Sequence, residues 1–495
     1  FKQKTAYEML RSLVGSEMCI RDRLSRKLNK LSAIKENKNS LTCFKSYDVR
    51  GELAVNFDAS IAYKIGRALA QHLSAKVIVV GRDARQSSPE LEKALISGII
   101  DSGANVLNIG LSGTEEMYWA VTEFKACAGI EVTASHNPIN YNGLKFVKSG
   151  SQPLHSVQDF QVIKKLAEAS NWKFRGSGGS VKDVSLLARG AYVQKVLSFI
   201  NFGAFKSHKI IVNSGNGAAG PTFDAIADVL KNNKVPIEFI RMHHDPDHTF
   251  PNGIPNPLLS KNHAPMRRMV LHHGADFGIA FDGDFDRCFF FDEKGTFVSG
   301  EYIVGLLASA FLDKEPHAKI VHDPRVIWNI EDIVKAKGGF CVPSQTGHAF
   351  IKQTMRKHQA VYGGELSAHH YFRNFSYCDS GMIPWLLILE ILSKSGTSLG
   401  ALVKSRHNKF PSSGEINFTI KDPDKVIDLV KDHYSAARNN YCNLDGLSLE
   451  FEDWRLNLRK SNTEPLVRLN IECRKRKSLV DKKIREVSAL INSTH

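Results

Sequence analysis

No run of about 18 consecutive apolar residues occurs in this chain, so a membrane-spanning helix is not expected. The most apolar stretch, Ile383 to Leu392, is interrupted by Pro384 and Glu390. The eight cysteines (Cys19, Cys43, Cys127, Cys288, Cys341, Cys378, Cys442 and Cys473) are far apart and form no Cys-x-x-Cys pair. That excludes a thiolate zinc site and a dense disulfide framework, and makes a reducing cytoplasm the simplest compartment. A Gly-x-Ser-x-Gly elbow is missing, which disfavours a serine hydrolase. Acidic charge is also short, at 51 Asp and Glu against 66 Lys and Arg, a net +15 over 495 residues. Such an excess serves either a nucleic acid or the steering of small anions. Residues 1–40 hold ten of the basic residues and four of the acidic ones. Elsewhere the charge is dispersed, apart from Arg474-Lys475-Arg476-Lys477, and no long basic tract interleaves with aromatics. Neither nucleic acid nor a membrane is therefore expected as a partner.

What is present is the composition of a globular chain, 42% hydrophobic and 24% charged, long enough for roughly three or four domains. Residues 1–40 are polar and charged with no apolar signal region, and read as an appended, disordered segment without chemistry. From Leu41 onward helix-period and strand-like segments alternate. Ile61–Leu73 leads to Lys76–Gly81, Pro89–Ser102 leads to Asn105–Gly110, and Ala128–Val132 follows. Continuous apolar strands between helices predict largely parallel sheets covered on both faces. The pattern recurs at Lys209–Val212 and Lys319–His322, and the chain closes with alternating strands and a helix. The expected architecture is three similar α/β domains (41–187, 188–297 and 298–409) with mainly parallel mixed sheets. A smaller α+β domain, 410–495, completes one central cleft. In open α/β sheets the loops beyond the strand ends gather the ligand.

Four such loops carry chemistry. Thr133-Ala-Ser135-His-Asn-Pro138 follows a strand and reads as a tight, exposed turn presenting a serine, with Lys145 close behind, although these six residues alone fit a plain Asx or Ser turn better. Asp282-Gly-Asp284-Phe-Asp286-Arg287 places carboxylates at alternate positions on a bent loop, suited to one hard cation such as Mg²⁺. An EF-hand would have Glu293 at its twelfth position. It would also need glycine where Arg287 stands, and helices where strands are expected. Gly363-Gly-Glu365-Leu-Ser367-Ala-His369-His370 offers carboxylate, hydroxyl and imidazole to sugar hydroxyls, although a hydrophilic turn with core-facing histidines fits those residues equally well. Arg459-Lys-Ser461-Asn462-Thr463-Glu-Pro465, with Arg468 beyond, gathers the donors of a phosphate cradle. Gly215-x-Gly217-x-x-Gly220 matches a dinucleotide fingerprint, but Glu238 lies inside the following strand rather than at its end, so NAD is not expected.

In this order the four loops resemble the α-D-phosphohexomutase family, and within it the bacterial phosphomannomutase branch. The resemblance begins at Leu41–Gly51 and includes Gly113–Glu116, Phe250–Pro257 and Thr346–Lys352. It implies an intramolecular phosphotransferase of the isomerase class that interconverts mannose 6-phosphate and mannose 1-phosphate, feeding GDP-mannose and surface polysaccharide synthesis. Phosphoglucomutase, a dual enzyme and phosphoglucosamine mutase are the sibling alternatives. A silent binding paralogue is disfavoured, because the serine and all three aspartates are present. By the same resemblance Ser135 is the phosphorylated serine, and Asp282, Asp284 and Asp286 hold one Mg²⁺ together with the Ser135 phosphate. Arg50, Lys145 and His348 assist the reaction. Tyr47, Arg287 and Arg325 line the cleft, Glu365, Ser367 and His369 contact the sugar, and Arg459, Ser461, Asn462 and Thr463 grip the non-reacting phosphate. A sugar 1,6-bisphosphate activates the enzyme, which is a monomer or dimer. Two departures from the family pattern are Gln345, where relatives often carry Lys, and Leu366, where many carry Met.

Overall fold

The computed structural model describes residues 40–173, 178–435, 440–460 and 466–493. Among these residues 21 strands form four sheets in chain order. The first has Val77–Arg82 at its centre, parallel to both Asn105–Leu111 and Ala128–Val132. Tyr141–Lys148 returns antiparallel beside Ala128–Val132, and Val49–Glu52 pairs with it. The second sheet sets His208–Asn213 parallel to Ile237–Met242 and Phe277–Phe281, then adds the antiparallel strands Cys288–Phe291 and Phe297–Val298. The third repeats this plan. Lys319–His322 lies parallel to Phe340–Pro343 and Tyr362–Gly364, with His370–Phe372 and Cys378–Asp379 antiparallel beyond. Each of these sheets thus has a parallel centre and an antiparallel flank, and in each a loop between the two carries candidate chemistry. The fourth is wholly antiparallel, in the order Ser412–Thr419, Leu466–Cys473, Trp454–Lys460, Leu447–Glu450, Asn440–Cys442.

One apolar cluster runs through the first three domains, from Val79 and Tyr118 through Ile210 and Phe277 to Ile320 and Trp385. The helix Met382–Ser395 is buried on nearly every side within it, as expected of a helix that is hydrophobic all round. Pro384 does not break this helix. It is the third helical residue, where the missing N–H has no partner within the helix. The fourth sheet has a separate core built on Leu449, Leu456, Leu469 and Val487. It meets the third domain across polar contacts. Arg455 donates to the carbonyls of Pro324 and Arg325, and Glu472 accepts from the backbone N–H groups of Ile327 and Trp328. No single helix among the described residues is long and apolar enough to cross a membrane. The seven cysteines among those residues are all free thiols.

Candidate active site

Ser135 follows the strand Ala128–Val132 and has a left-handed backbone, φ +50°, with its N–H donated to Thr133 Oγ1 at 2.8 Å. Arg85 fixes this loop by donating to four carbonyls: Ser135 (2.8 Å), Asn137 (2.6 Å), Pro138 (2.9 Å) and Tyr141 (3.0 Å). Arg50 adds bonds to Ala134 O at 2.7 Å and Asn137 Oδ1 at 2.5 Å. Contrary to the reading of its sequence, the serine is not exposed: Ser135 is fully buried, while His136 and Asn137 are half-buried and Pro138 faces outward. The loop of the second domain closes over it, so closely that a Cβ on Gly283 would fall 2.5 Å from the Ser135 carbonyl oxygen. This contact joins two domains, and a turn read by itself gives no sign of it.

The buried Ser135 hydroxyl donates to Asp282 Oδ2 at 2.7 Å and has His136 Nδ1 at 3.0 Å. One carboxylate oxygen from each of Asp282, Asp284 and Asp286 lies within 4.8 Å of the others, and all three residues are at most 1% exposed. Strands, not helices, flank their loop. Lys145 Nζ lies 2.7 Å from Asp284 Oδ2 and also bonds Asp286 Oδ2. Burial pushes Asp286 up to about 6, reinforced by the charge of Asp284. Burial also raises Asp282, again with Asp284 next to it. In Asp284 burial is outweighed by Lys145 and by the Thr114 hydroxyl, which hold its carboxyl well below the ordinary range. The remaining oxygens, Asp282 Oδ1, Asp284 Oδ1 and Asp286 Oδ1, are enclosed and have no hydrogen-bond partner among the described residues. Three desolvated anionic oxygens without donors fit a hard divalent cation that binds through oxygen.

From this cluster a chain of polar contacts crosses the molecule. Arg287 Nε approaches Asp282 at 3.5 Å and donates to His369 Nε2 at 3.1 Å. A guanidinium cannot accept, so His369 carries its proton on Nδ1, which faces Glu365 Oε2 at 3.2 Å. Glu365 also accepts from Tyr371 Oη at 2.6 Å and from the Gly347 N–H at 2.8 Å. Burial alone would raise Glu365, but His369, Arg325 and Tyr371 hold it well below the usual value. Arg325 lies 3.9 Å from Glu365, bonds Asp323 at 2.7 Å and Ser367 Oγ at 3.3 Å, and reaches Glu415 at 3.4 Å. Glu415 in turn accepts from Arg459 at 3.1 Å. Tyr47 and His348 meet edge-on with ring centres 4.7 Å apart, and both His348 nitrogens are enclosed without a hydrogen-bond partner among the described residues. Ser461, Asn462 and Thr463 lie outside the described residues.

Several participants escape a reading of the sequence. Thr114 Oγ1 donates to Asp284 Oδ2 at 2.5 Å, and the Thr114 N–H donates to Asp284 O at 3.2 Å. Glu115 accepts the Gly381 and Met382 N–H groups at 3.0 and 3.1 Å, fastening the first domain to the start of the buried helix. Gly113 fits beneath Phe285, where any Cβ would lie 2.3 Å from the ring. The signal in Gly113–Glu116 was the resemblance alone. The glycine-rich loop 215–220 packs against the aspartate loop, and a Cβ on Gly217 would lie 2.9 Å from Gly283 O. Its glycines therefore serve close approach between loops.

A serine and a carboxylate cluster where the first two domains meet, with a line of polar contacts and arginines leading through the third domain to the fourth, describe a phosphohexomutase. The sequence agrees. Residues 42–172, 190–295, 299–410 and 415–487 match the models of phosphoglucomutase/phosphomannomutase alpha/beta/alpha domains I, II and III and the C-terminal domain, and the chain belongs to that family of isomerases. It is 52% identical over 457 residues to a phosphomannomutase of Salmonella montevideo, covering 92% of this chain and 100% of that protein. It is 51% identical to the phosphomannomutase of Escherichia coli K12, covering 91% and 99%. Among solved structures, a phosphoglucomutase/phosphomannomutase family protein of Burkholderia thailandensis superposes with a TM-score of 0.80 at 28% identity, over 92% of this chain and 98% of that one.

Proposed function

We propose that this chain is a phosphomannomutase that interconverts mannose 1-phosphate and mannose 6-phosphate through a phosphoserine at Ser135, in a cytoplasmic route to activated mannose. The observation that carries the reading is the 2.7 Å bond between Ser135 Oγ, on one domain, and Asp282, in the carboxylate cluster of the next. A Mg²⁺ ion held by Asp282, Asp284 and Asp286 would draw charge from the phosphoryl oxygens. Phosphoserine carries about −1.5 to −2 charges at neutral pH, so a sugar oxygen that attacks it meets repulsion. Lys145, Arg50 and Arg287 surround Ser135 with positive charge that offsets it.

The sugar hydroxyl forms a bond to phosphorus as the bond to Ser135 Oγ breaks. The hydroxyl loses its proton, and the serine oxygen regains one. Neither ring nitrogen of His348 has a hydrogen-bond partner among the described residues, so the unprotonated one is free to accept, and burial, aided by the nearby Lys352, lowers its proton affinity well below the ordinary value. It is thus a neutral base at neutral pH. Glu365 and Ser367 hold sugar hydroxyls, while Arg459, with Ser461, Asn462 and Thr463, holds the distant phosphate. The resulting 1,6-bisphosphate, which also primes unphosphorylated enzyme, turns end for end and returns its other phosphate to Ser135. Labelled sugar bisphosphate should leave one phosphate on the wild type and none on Ser135→Ala. That variant should lose several orders of magnitude in kcat. Wild-type turnover in Ser135→Ala would sink the covalent route.

A further inference from the structure

Glu415 has no part in the reaction just described, yet it occupies the centre of the arginine cluster. Its Oε2 accepts from Arg325 at 3.4 Å and Arg459 at 3.1 Å, and its Oε1 from Arg468 at 3.2 Å. The local backbone is shaped to aim it there. The pairing of Ser412–Thr419 with Leu466–Cys473 slips between Ser412 and Glu415, and Gly414 takes φ +65° within the slip. Such a bulge redirects the side chain that follows it. Asn470 Nδ2 pins the Gly414 carbonyl at 2.9 Å, and Ser413 Oγ accepts the Ile471 N–H at 2.8 Å. Burial would raise Glu415, but the three arginines outweigh it and keep the carboxyl below its usual value, hence ionised at neutral pH. A carboxylate that satisfies three guanidinium groups has the charge sign and acceptor geometry of a phosphate.

We propose that Glu415 is a resident anion of the phosphate-binding arginines, and that it competes with substrate phosphate for Arg325, Arg459 and Arg468. The inference rests on the mutase reading for its purpose. A bisphosphate that must turn end for end has to leave these arginines part-way through each cycle. A fixed carboxylate waiting beside them weakens the grip and takes the donors back as the phosphate departs. Binding strength is thereby traded for release, so Glu415 is a positioning residue whose removal separates KM from kcat.

The test compares wild type, Glu415→Asp and Glu415→Gln. Calorimetry gives the dissociation constant of inorganic phosphate, and steady-state assays give KM and kcat for mannose 1-phosphate. Glu415→Gln should bind phosphate about tenfold more tightly, equivalent to about 1.4 kcal/mol, with KM and kcat both lowered. Glu415→Asp keeps the charge at shorter reach and should fall between Gln and wild type, which leaves the ranking readable if one variant folds poorly. Weaker or unchanged phosphate binding in both variants would show that Glu415 merely holds the arginines in place, and would overturn the proposal. Failure of the wild type to turn over mannose 1-phosphate would count against the mutase reading alone, because the phosphate ranking needs no sugar.

Discussion

Replacing Thr114 by valine exchanges one hydroxyl for a methyl and leaves the shape of the side chain almost unchanged. That hydroxyl is fully buried and donates at 2.5 Å to Asp284, the middle carboxylate of the cluster. Without it, Asp284 Oδ2 keeps Lys145 at 2.7 Å, and the carboxylate is free to turn toward that ammonium. A hydrogen bond to a charged group contributes about 1.5–3 kcal/mol. Spent on the metal-ready geometry, this corresponds to roughly 10- to 150-fold in rate or affinity. We expect Thr114→Val to need about tenfold more Mg²⁺ for half-maximal activity and to lose kcat/KM by a similar factor, while Thr114→Ser stays close to wild type. The assay is mutase activity across a Mg²⁺ titration after exhaustive chelation, with melting temperatures measured in parallel. An unchanged Mg²⁺ midpoint together with unchanged kcat/KM in Thr114→Val would refute the idea that this hydroxyl fixes the metal-binding carboxylate.

Glu115 gives a second expectation. Burial raises its carboxyl well above the ordinary value. Its contribution to stability is then full at pH values below the unfolded value of about 4.3 and fades as pH rises through the folded one. Glu115→Gln, which keeps an acceptor for Gly381 and Met382, should melt near wild type at neutral pH and lose this part of the pH dependence. Glu115→Ala strands both N–H groups and should lose about 3 kcal/mol in denaturant titrations; equal melting of the two variants would contradict the account. A third expectation concerns the sugar. If, as the family resemblance implies, Glu365 and Ser367 hold the 3- and 4-hydroxyls that mannose and glucose share, a site without a group matched to the 2-hydroxyl discriminates poorly. The two 1-phosphates should have kcat/KM values within about 100-fold, or roughly 2.7 kcal/mol, with N-acetylglucosamine 1-phosphate far poorer. Preference for the acetylated sugar would move the chain to the glucosamine branch.

What was legible in the sequence is what is local. The Asp282–Asp286 alternation announces itself within six residues, whereas the Ser135 turn by itself reads as an ordinary turn and gains its meaning from its order among the other loops. Thr114 and Asp284 are 170 positions apart, and Glu415 and Arg325 are separated by 90. Only the docking of one domain on another gives such residues their roles. The burial of Ser135 was hidden for the same reason, because the covering backbone belongs to Gly283. The glycines of 215–220 misled in the opposite direction. Their spacing imitates a nucleotide loop, while their physical duty is to let two loops touch.

The division of the apolar interior has a consequence for how the molecule comes apart. One apolar cluster runs through the first three domains beside smaller cores of their own, whereas the fourth joins the third through the Arg325–Glu415 pair and bonds from Arg455 and to Glu472 across backbone groups. Ionic and amide seams lose strength in salt and denaturant sooner than a shared hydrocarbon core does. The shared cluster ties the body carrying Ser135 and the aspartates together, and the arginine-bearing sheet is expected to open first in native-state hydrogen exchange. Arg459 and Arg468 ride on the looser part. In the proposed reading, the phosphate-holding arginines then sit on the piece whose departure would leave the serine, the carboxylates and the packing beneath them in place.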